Sequence, residues 1–360
     1  MDIKKSISIF TVALTTTLVS LSAQAFTIDE AQIRQSADQA SQGYAPYPKQ
    51  LQQAAESGDV IAQYTLGVMY ANGQGVAQDD AQAAQWYRKA ADQGYPAAQY
   101  VLGLMCAIGK GVAQDDAQAA QWYRKAADQG NPDAQYNLGV MYTIGKGVAR
   151  DDAQAVLWYR KAADQGYAAA QSNLGLMYIK GQGVARDDAQ AYQWISKAAD
   201  QWYAEAQYNL GIMYANGQGV VQDYTQAALW YGKAADQGYA AAQSNLGLMY
   251  IKGQGVAQDY DQADRWISKA ADQGNAAAQD NLGIMYANGQ GVAQDSVIAY
   301  ALFNLSASTD ASGNNTAASN RDKLAAKMSA SKIEAARALT REIDSKPVSI
   351  SIAEYLEFTK

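Results

Sequence analysis

Apolar side chains recur along this chain on two scales. On the long scale Leu-Gly returns at Leu66, Leu102, Leu138, Leu174, Leu210, Leu246 and Leu282, always 36 residues apart. On the short scale Ala62, Leu66, Met69 and Tyr70 lie three and four residues apart, which is one face of a helix. Asn72-Gly73-Gln74-Gly75 breaks that helix. Asp79 then reads as an N-cap with Gln82 three residues on, a capping-box pattern repeated from Asp115/Gln118 to Asp259/Gln262. Ala83, Trp86, Tyr87, Ala90 and Ala91 give the second helix its apolar face, and Gly94 ends it as a left-handed cap. Each block predicts a helix A and a helix B. A fixed step without slips makes the chain a repeat array, in which neighbouring units bury each other's faces.

Some positions carry further expectations. Gly67 and its counterparts sit inside helix A, where Gly costs about 1 kcal/mol against Ala, so a partner must approach too closely for a Cβ. Asn131-Pro132 gives the third helix A an N-cap and a first-turn proline. Trp202 stands in the fourth unit where five of the other repeats have the helix-ending Gly, which predicts a distorted junction. Cys106 replaces a tyrosine found in the other six units and reads as a small buried apolar side chain.

The boundaries follow. Residues 1–25 read as a secretory leader: Lys4 and Lys5, an apolar stretch, then Ala23-Gln24-Ala25. Residues 26–58 form an N-terminal segment ending in a half-repeat cap, because Ala54, Ala55 and Gly58 keep the helix-B register. The array covers 59–310, as six full repeats and a degenerate seventh. Residues 311–345 form a C-terminal helical cap, in which Ser331 with Glu334 reads as a capping box, and 346–360 a tail.

Composition removes most chemistry. With no His and one Cys there is no histidine triad, no zinc site and no internal disulfide. A net charge of −7 argues against nucleic acid, which demands a basic face. No later stretch is apolar for the ~20 residues a membrane span needs. The Gly-x-Gly-Val loops lie between helices and read as turns rather than phosphate cradles. The Asp79-Asp80 type pairs read as caps rather than calcium ligands. No catalytic residue, cofactor or metal is expected.

The pattern Ala-Gln-Tyr-x-Leu-Gly-x-Met-Tyr-x-x-Gly-x-Gly-Val-x-x-Asp-x-x-x-Ala-x-x-Trp-Tyr-x-x-Ala-Ala-x-x-Gly, nearly whole at 62–94, resembles the Sel-one-like repeat family, relatives of tetratricopeptide repeats. The resemblance implies an all-α, right-handed α/α superhelical solenoid of helix-turn-helix repeats. It also implies an exported scaffold that binds a protein or peptide in a concave groove, in envelope assembly or host contact. The expected setting is the periplasm, with secretion or surface attachment as alternatives, and the expected state is a monomer. If helix A lines the groove, Tyr64, Tyr100, Tyr136 and Tyr208 point into it. So do Asn137, Asn173, Asn209, Asn245 and Asn281, either to bond a peptide backbone or to bridge adjacent helices. Some cysteine-rich relatives are described as acting on β-lactams, and Ser329-Ala-Ser-Lys332 matches Ser-x-x-Lys. The accompanying Lys-Thr-Gly and Ser-Asp-Asn are missing, as are the paired cysteines.

Overall fold

The computed structural model describes residues 47–309 and 316–359, and every regular element among them is an α-helix. The leader proposed at 1–25 lies outside the described residues. The described chain falls into two compact units, one running to Lys197 and one from Ala198. Helix α1 (Tyr47–Glu56) precedes seven A/B pairs. These are α2 (Val60–Asn72) with α3 (Asp80–Asp92), α4 (Pro96–Ile108) with α5 (Asp116–Asp128), and α6 (Pro132–Ile144) with α7 (Asp152–Asp164). Next come α8 (Ala168–Lys180) with α9 (Asp188–Asp200), and α10 (Ala204–Asn216) with α11 (Tyr224–Asp236). The last pairs are α12 (Ala240–Lys252) with α13 (Tyr260–Asp272), and α14 (Ala276–Asn288) with α15 (Ser296–Thr309). Helices α16 (Thr316–Ala325), α17 (Ala330–Ile343) and α18 (Val348–Phe358) close the chain.

Hydrogen bonds set the pair geometry. The Asp79 carboxylate accepts from the N–H groups of Ala81 and Gln82, as an N-cap should. The reciprocal half of the expected capping box is not used. The Asp79 N–H instead donates to the Tyr70 carbonyl of helix A at 2.9 Å; Asp151, Asp223 and Asp259 donate to the corresponding tyrosines, and Asp115 to Cys106, which stands in that tyrosine's place. The cap therefore ties B to A. Asn131 caps α6 with Pro132 in its first turn.

The Leu of every Leu-Gly is buried, and the close approach inferred for its Gly is present. A Cβ on Gly139 would lie 2.7 Å from the Tyr159 ring, and one on Gly175 would lie 2.5 Å from Ile195 Cγ1. Helix B thus rests a side chain directly on the helix-A backbone.

Two devices join one repeat to the next. The buried Gln135 Nε2 donates to the Ala127 carbonyl at 3.0 Å, while its Oε1 accepts from Gln165 Nε2 at 2.7 Å. The same pair of bonds forms at Gln63, Gln99, Gln207 and Gln243. It gives a second donor to a carbonyl at the C-terminal end of the preceding B helix, which otherwise accepts only from N–H groups just past the helix end. The second Gly of the loop presses on the preceding repeat at Gly111, Gly147, Gly183, Gly255 and Gly291: a Cβ on Gly147 would fall 2.1 Å from the Asp116 carbonyl oxygen.

At Trp202 the expected distortion is absent. The residue keeps the left-handed conformation of the glycines it replaces, at φ 63°, the only non-glycine to do so among the described residues. The bonds Trp202 N–H to Ala199 O and Tyr203 N–H to Ala198 O, at 3.1 and 3.3 Å, repeat those at Gly166 and Tyr167. The cost appears as strain rather than displacement, because the two cap bonds fix the backbone whatever side chain it carries.

At the C-terminal end α17 packs on α15, and α18 packs on α13 and α17. The Asp272 carboxylate accepts from Ser349 N–H and Oγ at 2.8 and 2.7 Å, anchoring the first turn of α18. The N-cap of α17 is Ser329, whose Oγ accepts from the Lys332 N–H. Ser331 lies inside the helix, so the expected capping box with Glu334 does not form; Glu334 faces Arg337 and Arg341 instead.

Candidate functional site

Helix A carries the fifth-position tyrosines on one side, and helix B meets them with a tyrosine of its own. Ring centroids of Tyr64–Tyr87, Tyr100–Tyr123, Tyr136–Tyr159 and Tyr208–Tyr231 are 5.6–5.9 Å apart. A third ring joins from the residue before the next helix A: Tyr95 to Tyr64, Tyr167 to Tyr136 and Tyr239 to Tyr208, at 5.1–5.2 Å. These distances suit tilted aromatic packing. The consequence is burial. Tyr100, Tyr136 and Tyr208 are only 4–9 % exposed, and Tyr64 is half-buried. These tyrosines brace the A-helix face and show solvent little more than an edge.

The sequence records this pairing. Where helix A has Ser172 or Ser244, helix B has Ile195 or Ile267, so both rings are exchanged together. Burial pushes the Tyr64 phenol up to about 12, and it raises Tyr100, Tyr123, Tyr167 and Tyr231 further.

The asparagine column divides. Asn137 hydrogen-bonds the hydroxyls of Tyr100 and Tyr123, and Asn245 those of Tyr208 and Tyr231. These two bridge adjacent repeats. Asn173, Asn209, Asn245 and Asn281 are half-buried, and the Asn209 Nδ2 is buried without a hydrogen-bond partner.

Two carboxylates on this face escaped the sequence reading. Asp133 lies one turn before Tyr136, is hydrogen-bonded by the Tyr167 hydroxyl, and sits close enough to Tyr100 to raise its pKa. Glu205 lies one turn before Tyr208, accepts from Tyr203 Oη at 3.2 Å, and raises Tyr239 in the same way. Burial raises the pKa of both carboxyls, and the tyrosine hydrogen bonds offset part of the rise. The available signal was column deviation: the same position elsewhere holds Ile61, Ala97, Ala169, Ala241 and Ala277. An acid in the first turn of a helix also has an ordinary explanation in the helix dipole, which concealed it.

Other candidates resolve into packing. Lys89, Lys125, Lys161, Lys197, Lys233 and Lys269 each lie over the Trp ring three residues earlier, at 3.6–4.5 Å from its centroid. Cys106 is buried, and burial raises its thiol pKa. The Ser329 hydroxyl is engaged as a helix cap. Among the described residues no group of three or more Cys, Asp or Glu could hold a metal ion, and no helix is long and apolar enough to cross a membrane.

The Sel1 repeat sequence model matches seven consecutive segments, at 60–95, 96–131, 132–167, 168–201, 204–239, 240–275 and 276–308. The chain belongs to the Sel1 repeat family. Its repeats are similar to a Sel1 repeat protein from Oxalobacter formigenes, at 42 % identity over 76 % of this chain and 78 % of that one, with a TM-score of 0.64. They are also similar to c5321, a protective antigen of uropathogenic Escherichia coli strains displaying an SLR fold. There the identity is 31 % over 86 % of this chain and 97 % of that one, with a TM-score of 0.42. No curated protein matches the chain. Sel1 repeats form all-α solenoids of stacked helix pairs, and the proteins built from them are generally interaction scaffolds rather than enzymes.

Proposed function

We propose that this Sel1-repeat chain is an exported, non-catalytic scaffold that holds a protein or peptide along its A-helix face. Tyr64, Tyr100, Tyr136 and Tyr208 brace that face, and the column from Asn137 to Asn281 bonds either the partner or the neighbouring helix. The observation that carries this reading is a contrast within single helices. The Leu, Gly, Gln and Ala columns of helix A hold their residue in every repeat and are buried. One turn apart on the same helices, the second position runs Ile61, Ala97, Asp133, Ala169, Glu205, Ala241, Ala277, and the fifth runs Tyr64, Tyr100, Tyr136, Ser172, Tyr208, Ser244, Asp280. A requirement shared by all repeats would hold these positions constant; recognition of one irregular partner would not. The leader pattern at 1–25 supports export, with the periplasm as the first destination. The charge of −7 supports a protein rather than a nucleic-acid partner.

Site-specific photocrosslinking in the producing cell tests the reading. Probes at Ala97 and Ala241, one turn before Tyr100 and Ser244, are expected to trap one common partner. Probes at Leu157 and Leu229, exposed on α7 and α11, are expected not to trap it. Equal trapping from both sets, or none from the first, refutes it.

A further inference from the structure

Asp133 and Glu205 hold negative charge in partly desolvated positions, yet among the described residues neither forms an ion pair. The fold does not demand them, because five other repeats fill the same position with Ile or Ala. Each is walled by phenol rings. Asp133 has Tyr100, Tyr136 and Tyr167, the last two 5.2 Å apart. Glu205 has Tyr203, Tyr208 and Tyr239, the last two 5.1 Å apart. Both residues are half-buried rather than sealed in the core. A carboxylate set among aromatic rings is complementary to an organic cation. The carboxylate neutralises the charge, while the half-buried rings of Tyr167 and Tyr239 cover part of the alkyl stem. A metal ion is a poor match, since each site offers one carboxylate and phenols whose protons are held by burial.

We infer that Asp133 with its three tyrosines, and Glu205 with its three, are two sockets that each receive a lysine or arginine side chain of the bound protein segment. The inference rests on the scaffold reading and gives its partner a chemistry: a segment carrying at least two basic residues. The carboxylate recurs once in each compact unit, 72 residues apart in sequence, with two tyrosines in common register, Tyr136 and Tyr167 matching Tyr208 and Tyr239; the third ring differs, Tyr100 in one and Tyr203 in the other. Two of the seven repeats therefore read charge, while the remaining repeats offer aliphatic side chains at that position.

The test uses the full chain and a fluorescein-labelled peptide of alternating lysine and glycine, with its lysine-acetylated form as control. The peptide is expected to bind and the acetylated form not to bind. Asp133→Asn with Glu205→Gln is expected to weaken binding at least about tenfold. Asp164→Asn with Asp236→Asn, which removes the same charge from exposed B-helix ends, is expected to change it by less than about twofold. The melting temperature of the Asn/Gln chain is expected to equal or exceed that of the parent, because an unpaired, desolvated charge has been removed. Equal weakening by both pairs of substitutions would overturn the inference, since it would mean general attraction to an acidic protein. No binding up to about 1 mM, or a binding loss that follows a lowered melting temperature, would overturn it too. Cross-links from Ala97 and Ala241 that persist in the Asn/Gln chain would sink the sockets alone and leave the scaffold standing. Their absence from the parent chain would sink the scaffold.

Discussion

The contact between a loop and the preceding repeat can be isolated with two glycines of matching backbone conformation. Gly75 and Gly147 are the second glycines of their loops, with φ of 70° and 71°. Alanine at either must adopt the left-handed region, at a cost of about 1–2 kcal/mol. Around Gly75 the nearest described atom to a new Cβ is the flexible Met69 Cε at 3.2 Å. Around Gly147 the Cβ would meet Asp116 O at 2.1 Å and Asp116 C at 2.4 Å, both backbone of α5. An unstrained C···O contact is about 3.3 Å, so loop and helix must separate by about 1.2 Å. Overpacking of this kind costs about 1–3 kcal/mol or more. The separation also lengthens the half-exposed Lys146–Asp116 pair at 3.1 Å, which contributes little. Gly147→Ala is therefore expected to lose about 2–5 kcal/mol and Gly75→Ala about 1–2 kcal/mol. Urea unfolding followed by circular dichroism gives the totals. Hydrogen exchange read by mass spectrometry gives the location, which matters because repeat arrays unfold in segments. Protection should fall across α5 and α6 in the Gly147 variant. Equal midpoint shifts for the two variants would refute the reasoning.

Three further outcomes are expected. Trp202→Gly should raise stability by about 1 kcal/mol in urea, because left-handed strain is released while a 65 % exposed indole loses little packing; a lowered midpoint would show that the indole has a packing role. Burial raises the pKa of Asp133 and Glu205, so the native state binds their protons more tightly than the unfolded chain. Their favourable contribution is present at low pH and is lost as pH climbs from about 4 through the raised native values. The parent should thus lose stability relative to the Asn/Gln double variant as pH rises from about 4 to about 7, and parallel curves would contradict the sign. Fluorescent penicillin should label neither the parent nor Ser329→Ala, while the substitution removes a helix cap and costs about 1 kcal/mol; labelling that disappears in the variant would revive the hydrolase reading.

The amino-acid sequence by itself determined the repeat, the helix pairs, their caps and the absence of histidine chemistry. These follow from forces that act within a few residues. Periodicity sets the buried face, Asp79 satisfies orphaned N–H groups beside it, and a glycine just past a helix end relieves the left-handed cap. Internal repetition added one long-range fact, that Gly67 must lie under a close neighbour.

What only the tertiary structure decided mostly involves partners on other helices, from 9 residues away for the cap N–H to 34 for Asp133 and Tyr167. The fifth-position tyrosines look available on a helical wheel. Tyr136 and Tyr208 are buried because two further rings, from helix B and from the residue before the next helix A, close over them. The second half of the capping box is unused because the cap N–H finds a helix-A carbonyl first. Trp202 stays in register because two backbone bonds outweigh the preference of one side chain. Asp133 and Glu205 acquire their aromatic walls only when the tyrosine of the following repeat arrives beside them. Local chemistry specifies an element, whereas desolvation is a property of whatever stacks upon it, and a single helix carries no record of that.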